Sequence, residues 1–197
     1  MNNILKNDIF DAEYEYIDNY TTENQGAKEA LSNLLDKLIP LSADQWSEIF
    51  EFMNSNSLGG KINVKEAYVV ALSKMLLGYA IEINYIFAQY KKEFYIFNSE
   101  YWIKIESALL INFFKAAANK TGIPEYTASS VTFINKLHKQ FLQDAYFEEL
   151  VLEDSTCINL KNGILNIGKN GVKLEKHHSK YFLKYILDFE YIENANN

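Results

Sequence analysis

Apolar residues in the first sixty positions recur at helical spacing. One stripe, with intervals of three and four residues, predicts an amphipathic helix that ends at Pro40. Its members are Leu31, Leu34, Leu35, Leu38 and Ile39. Ser42 and Gln45 are spaced as a capping box, which predicts the start of a second helix that ends at Leu58-Gly59-Gly60. The apolar stripe of this second helix is Trp46, Ile49, Phe50 and Met53.

A long third helix is predicted over about residues 64–91, with Asn63 and Glu66 at its N-terminus. One face carries Leu72, Leu76, Tyr79, Ile83, Ile86 and Tyr90. Because other apolar residues surround that face, we expect this helix to lie centrally in a helical bundle.

Two aromatic and β-branched runs then predict a β-hairpin, at residues 94–97 and 101–105. Helices are predicted from about residue 107 to 120 and from about 129 to 147. The last of these carries one apolar side, formed by Ile134, Leu137, Phe141 and Ala145.

Short alternating runs near the C-terminus predict a β-meander. They lie at residues 157–160, 164–167 and 172–174, and the turn dipeptides Asn162-Gly163 and Asn170-Gly171 separate them. Asn-Gly favours a mirror-image hairpin turn, with Gly163 at positive φ. The run at residues 181–191 fits a strand or a short helix equally well.

These elements together predict an α+β fold that is mainly α, with a helical body, a β-hairpin and a small C-terminal β-meander. Residues 1–60 form an acidic helical segment and residues 61–197 the main domain, and the lack of a linker favours one continuous domain. The apolar run at residues 67–87 carries charges, which favours a buried helix over a membrane span. No signal peptide is apparent, so the expected location is the cytoplasm.

Charge is distributed unevenly along the chain. The net charge is −7, yet residues 1–60 alone balance at −8, with three Lys and eleven acids, and the remainder balances at +1. This acidity argues against a generic nucleic-acid binder. Every basic residue is Lys, so the chain supplies no arginine finger to a partner.

Catalytic motifs are missing from the sequence. Gly60-Lys61 has Ser55 where a phosphate loop requires its first glycine. The adjacent His177 and His178 fit exposed polar side chains better than joint metal ligands, and Cys157 fits a buried thiol. The acid pairs at residues 148–149 and 153–154 fit a solvated surface. We therefore expect no enzyme activity, no cofactor and no metal.

One succession of motifs is more specific. Residues 158–167 read I-N-L-K-N-G-I-L-N-I, residues 174–183 read L-E-K-H-H-S-K-Y-F-L, and residues 94–102 read F-Y-I-F-N-S-E-Y-W. Over about residues 85–195 this order resembles the accessory domain that precedes the superfamily-three helicase in phage and plasmid primases and in poxvirus-type primase-helicases. The structural motif residues are Tyr95, Trp102, Asn162 and Gly163.

The resemblance implies a non-catalytic module between a priming domain and a hexameric helicase ring, which helps to assemble the ring and to guide DNA. The implied partners are the helicase domain of the same or a neighbouring chain and single-stranded DNA, with a homo-oligomer when the helicase is attached. Two alternatives stay open, a stand-alone DNA-binding or regulatory protein of a mobile element and a small enzyme of unrecognised type.

Six lysines within 24 residues that contain one acid, Glu175, form the candidate nucleic-acid-binding strip. They are Lys161, Lys169, Lys173, Lys176, Lys180 and Lys184. Ordinary solubilising lysines explain the same pattern. Tyr95, Tyr101 and Trp102 can stack on bases, although core packing of the hairpin is the favoured interpretation.

Overall fold

Helices make up most of the residues that the computed structural model describes, which are 25–57, 62–145, 156–169 and 171–193. The helices are α1 (Gln25–Lys37), α2 (Ala43–Ser55), α3 (Val64–Glu82), α4 (Ser107–Lys120), α5 (Glu125–Ala128) and α6 (Val131–Asp144). The strands are β1 (Ile86–Tyr90), β2 (Glu93–Phe97), β3 (Trp102–Ile105), β4 (Thr156–Leu160), β5 (Gly163–Gly168) and β6 (Gly171–Glu175). The strands form two antiparallel sheets, β1-β2-β3 and β4-β5-β6, which confirms the mainly α, α+β prediction.

The capping box predicted for α2 is present, because the Ser42 side chain accepts from the Gln45 backbone N–H and the Gln45 side chain accepts from the Ser42 N–H. The predicted glycine break at residues 58–60 lies outside the described residues. Trp46 is buried, and its indole Nε1 donates to the carbonyl oxygen of Thr121 at 2.9 Å. This bond ties α2 to the end of α4.

One apolar core joins all six helices to the first sheet. The buried stripe of α1 packs into it with side chains from α3, α4 and α6. Ser73 of α3 is fully buried and donates to the exposed Asp144 of α6 at 2.5 Å, which gives this helix pair a polar contact at the edge of the core.

The third helix is shorter than the sequence predicts. It ends at Glu82, and Asn84 adopts a left-handed backbone with φ of +58°. Asn tolerates this conformation better than most residues. The run Ile86–Tyr90 then pairs with β2 as an edge strand. The prediction of a helix up to residue 91 is therefore wrong, because strand pairing overrides the helical spacing of these apolar residues.

The predicted hairpin is confirmed as β2 and β3. Its turn is closed by the Asn98 side chain, which accepts from the backbone N–H groups of Glu100 and Tyr101. The turn between β1 and β2 consists of Lys91 and Lys92, both with positive φ. A mirror-image hairpin turn needs this backbone, but lysine is not among the residues that signal it.

The helix predicted at residues 129–147 is present as α6, which runs from Val131 to Asp144. The short α5 lies before the predicted range, and Phe147 lies outside the described residues. The predicted apolar side is buried as Ile134, Leu137, Phe141 and Ala145. Residues 181–191 form neither alternative, because a short 3-10 helix at Ser179–Tyr181 leads into an irregular segment.

The β-meander is confirmed, but its first turn differs from the predicted one. Leu160 pairs with Gly163, so the two-residue loop is Lys161-Asn162 and Gly163 begins β5. Neither loop residue has a left-handed backbone, so the predicted mirror-image turn is wrong. Gly163 does have positive φ, at +143°, and a Cβ there would lie 2.3 Å from the Glu175 carbonyl oxygen. The close approach of β6 therefore requires glycine.

Replacing Gly163 by Ala should destabilise the fold by about 1–3 kcal/mol, through backbone strain and the clash with β6. Gly168→Ala is the matched control, because a Cβ at Gly168 meets nothing within 4 Å, and it should change stability by less than about 0.5 kcal/mol. Urea unfolding followed by circular dichroism measures both. Equal stability losses in the two variants would contradict the assigned role of Gly163.

Burial lowers the pKa of His138, whose ring packs against Phe94 and Phe114 and whose Nε2 lacks a hydrogen-bond partner among the described residues. The folded state therefore binds the His138 proton less tightly than the unfolded chain, in which a histidine is protonated near pH 6.5. Because the unfolded state binds the extra proton, this contribution to stability is present above about pH 6.5 and is lost as the pH falls.

We expect the melting temperature of the wild type to fall between pH 7 and pH 5 more steeply than that of His138→Leu. His177 and His178 are present in both proteins, so the difference between the two profiles isolates His138. Parallel profiles would show that His138 titrates alike in the folded and unfolded states.

Candidate nucleic-acid interface

The C-terminal segment of residues 177–191, here called the strap, runs between the two sheets. Two hydrogen bonds from Trp102 hold it to β3, one from the backbone N–H to the Leu183 carbonyl and one from the indole Nε1 to the Ser179 carbonyl, both at 2.8 Å. The Trp102 ring is buried, with 1% of its surface exposed. The strap is therefore fixed to the first sheet on both sides of residue 182.

Asn159 joins the strap to both sheets. Its side chain is fully buried, and its amide Nδ2 donates to the carbonyl oxygens of Glu100 at 2.9 Å and Tyr185 at 2.8 Å. Its own backbone carbonyl accepts from Leu187 at 2.9 Å. In the sequence Asn159 is part of the I-N-L-K-N-G motif, and its position as a polar residue within an apolar strand is the signal of this role.

Asn162 holds the far end of the strap. Its side-chain amide donates to the Tyr191 carbonyl at 2.8 Å and its side-chain oxygen accepts from the Tyr191 N–H at 3.0 Å. The N–H of Lys161 donates to the Phe189 carbonyl. The loop thus pairs with the strap as a neighbouring strand would.

Phe182 covers the outer face of the first sheet. Its ring centroid lies 5.1 Å from Tyr90, 5.0 Å from Tyr95 and 5.3 Å from Trp102. Tyr95 and Trp102 are buried in this cluster, as their core-packing interpretation predicts, whereas Tyr90 and Phe182 are half-buried. Phe182 has a left-handed backbone with φ of +44°, which is a strained conformation for this residue.

Lys184 lies on the same aromatic cluster. Its ammonium donates to the Tyr95 hydroxyl at 3.0 Å and lies 4.5 Å from the Tyr95 ring centroid and 4.8 Å from that of Phe182. The Tyr95 hydroxyl in turn donates to Glu93, which also pairs with Lys104. The hydrogen bonds from Lys104 and Tyr95 lower the pKa of Glu93.

The six lysines of the strip do not share one surface. Lys161 pairs with Asp188, which raises the Lys161 pKa, and it lies at the opposite end of β5 from Lys169. Lys173 and Lys180 lie 3.6 and 3.9 Å from Glu175.

Glu175, on β6 of the second sheet, contacts side chains of that sheet and of the strap. A hydrogen bond from the Tyr181 hydroxyl, at 2.6 Å, is the main cause of its lowered pKa, with Lys173 and Lys180 adding to it. Among the lysines of the strip, Lys169, Lys176 and Lys184 are exposed and form no ion pair with any residue that the structure describes. Ion pairs thus compensate only half of the lysines of the strip.

The two adjacent histidines and Cys157 differ in their burial and in their contacts. His177 is half-buried rather than exposed and hydrogen-bonds to the Leu160 carbonyl at 2.8 Å, because the strap passes beside β4. His178 is exposed and accepts from the Lys180 N–H. Cys157 is half-buried, not buried. The acid pairs at residues 148–149 and 153–154 lie outside the described residues.

Two findings concern only the described part of the chain. No group of three or more His, Cys, Asp or Glu side chains is placed there to hold a metal ion. None of the helices there combines the length and the apolar character that crossing a membrane requires. Comparison of the chain with protein-family models, curated proteins and solved structures found no match.

Removing the fully buried Asn159 side chain should destabilise the protein by about 2–4 kcal/mol, because the Glu100 and Tyr185 carbonyls lose the donor that joins them and a cavity replaces the amide. Asn166→Ala on β5 is the matched control, since the Asn166 side chain makes no hydrogen bond with any described residue, and it should cost less than about 0.5 kcal/mol. Chemical unfolding of Asn159→Ala gives the comparison. A loss of stability no larger than that of the control would show that Asn159 does not stabilise the junction between the strap and the two sheets.

Proposed function

We propose that this chain is a non-catalytic module of a phage- or plasmid-type DNA primase-helicase, where it supports assembly of the helicase and guidance of DNA. The observation that carries the proposal is the junction at the strap. Trp102, Asn159 and Asn162 belong to motifs that are distant in sequence, and all three hold the same strap. The motifs behind the resemblance therefore form one structural unit.

The exposed surface of the strap supports an assembly role. Its backbone is fixed by the junction, yet Phe189 is 57% exposed and the adjacent Ile192 is 66% exposed. Apolar side chains on a rigid exposed segment are typical of a protein–protein contact. The helicase domain, in the same or a neighbouring chain, is the partner that the resemblance names.

The second candidate function is a stand-alone DNA-binding or regulatory protein of a mobile element. Lys169 and Lys176 favour it, because both are exposed, pair with no carboxylate in the part of the chain that the structure describes, and can attract phosphate. The two functions differ in the partner that they require. Only the first needs a helicase.

The double variant Phe189→Glu/Ile192→Glu should weaken association with the superfamily-three helicase of the same replicon by at least about tenfold. The reason is that charges replace two apolar side chains that association with the helicase would bury. Tyr126→Glu/Val131→Glu is the control, since these side chains are 86% and 75% exposed and lie elsewhere, on and beside α5. Sedimentation of labelled chain with the helicase measures both variants, and circular dichroism checks that both fold.

Absence of any association between the wild-type chain and that helicase would overturn the assembly role. In that case, retained binding to single-stranded DNA would favour the stand-alone protein. Equal loss of association in both double variants would leave the strap without a special part in assembly.

A further inference from the structure

We propose that single-stranded DNA binds across the outer face of the first sheet, on the half-buried rings of Tyr90 and Phe182 between the lysines at 91, 92 and 184. This surface is here called the aromatic face. The inference rests on the proposed function, since it names where the module contacts DNA. It differs from the lysine strip, with which it shares only Lys184.

The aromatic face alternates cations and rings in one continuous arrangement. Lys91 lies 5.2 Å from the centroid of the Tyr90 ring, that ring lies 5.1 Å from Phe182, and Phe182 lies 4.8 Å from the Lys184 ammonium. Lys92 follows Lys91 in the turn between β1 and β2. Basic groups interleaved with aromatic rings are what single-stranded nucleic acid requires, because phosphates need cations and unpaired bases need surfaces for stacking.

The charges of this face have no carboxylate within ion-pair distance among the described residues, although Lys184 donates to the Tyr95 hydroxyl and helps to lower the pKa of Glu93. Lys91, Lys92 and Lys184 are exposed, and none of them forms an ion pair with a residue in the described ranges. In contrast, Lys161, Lys173 and Lys180 each lie within 4 Å of a carboxylate. Lys91 and Lys184 thus combine the lack of an ion pair with a cation–π contact to the rings, whereas Lys169 and Lys176, which also form no ion pair, make no cation–π contact with any described residue.

The rings are also available in part. Tyr95 and Trp102 are buried, so they support the face from beneath, whereas Tyr90 and Phe182 keep exposed surface. The cation–π contact of Lys91 with Tyr90 is worth only about 0.5–1 kcal/mol at an exposed site. A base can displace that contact, and the released ammonium can then pair with a phosphate.

The strap holds Phe182 in place for this contact. Hydrogen bonds from Trp102 fix the backbone at Ser179 and Leu183, on either side of the left-handed Phe182. The strain at Phe182 is thus maintained by its neighbours, which hold its ring against Tyr90. A ring pair fixed before binding loses little entropy when a base stacks on it.

The experiment measures fluorescence anisotropy of a labelled thymidine oligomer of about 15 nucleotides, a length that one such face can engage. Lys91→Gln/Lys92→Gln should lower the affinity at low salt by about five- to tenfold, and the slope of log affinity against log salt should fall by about 1.4, or 0.7 per lost phosphate contact. Lys173→Gln/Lys176→Gln is the control with the same charge change on the second sheet, and it should alter the affinity by less than about twofold.

Tyr90→Leu separates stacking from charge. It retains apolar bulk at the end of β1 but removes the ring, so thymidine affinity should fall by about fivefold or more, while the salt slope stays unchanged. Binding of inorganic polyphosphate, which has no bases, should not change. Circular dichroism and thermal unfolding establish that each variant is folded before its affinity is compared.

The inference is overturned if the wild type binds no oligomer at low salt, if the two lysine pairs lower the affinity equally, or if folded Tyr90→Leu binds thymidine as tightly as the wild type. Association of the same variants with the helicase is measured in parallel. Normal association with no effect of these variants on DNA binding would overturn the aromatic face alone. DNA binding as expected, without association, would overturn the assembly role alone.

Discussion

The side-chain amide of Asn159 is the polar contact on which the arrangement of the C-terminal part depends. The second sheet contributes few buried apolar side chains among the described residues, chiefly Leu160 and Ile164. Apolar contact alone would leave its position loosely defined, because hydrophobic attraction has no direction. Two hydrogen bonds from one buried donor group set the direction, since each carbonyl must lie where the amide points and an unpaired carbonyl would be costly.

That constraint determines what the strap can do. Once Asn159 and Trp102 fix its backbone, residue 182 must adopt a left-handed conformation that costs about 1–2 kcal/mol for a residue with a Cβ. The cost is offset because the Phe182 ring completes the cluster with Tyr90 and Tyr95. The fold thereby closes a second apolar cluster over the outer face of the first sheet and leaves two rings partly accessible.

Elements whose signals lie in neighbouring residues are predictable from the sequence. The capping box before α2, the bounds of α4 and the β-meander depend on neighbouring residues, and all three are confirmed. The end of α3 is different, because residues 86–90 satisfy helical spacing and become a strand only when β2 is present to pair with them.

The candidate interface is predictable to a lesser degree. Motif reading identifies Trp102 and Asn162, but the role of Asn159 depends on carbonyls 59 and 26 residues away in sequence. Phe182 gives no sequence signal either, since a left-handed aromatic residue is unusual and arises here from tertiary constraints on both sides. Residue type and local spacing therefore identify motif positions without showing what they contact.

The pairing of the charged residues depends on the tertiary structure in the same way. Between Lys161 and Lys184 the count of six lysines to one acid suggests a strongly positive strip, but Asp188, outside that window, pairs with Lys161. Lys91 and Lys92 come from a segment whose spacing indicates a helix, and the strand pairing that replaces the helix puts them in a turn beside Tyr90. Phosphate responds to local potential in space, which falls off within about 10 Å at ordinary salt. Where a protein surface can attract phosphate therefore depends on which lysines the fold leaves without a carboxylate partner, and a count along the chain does not reveal it.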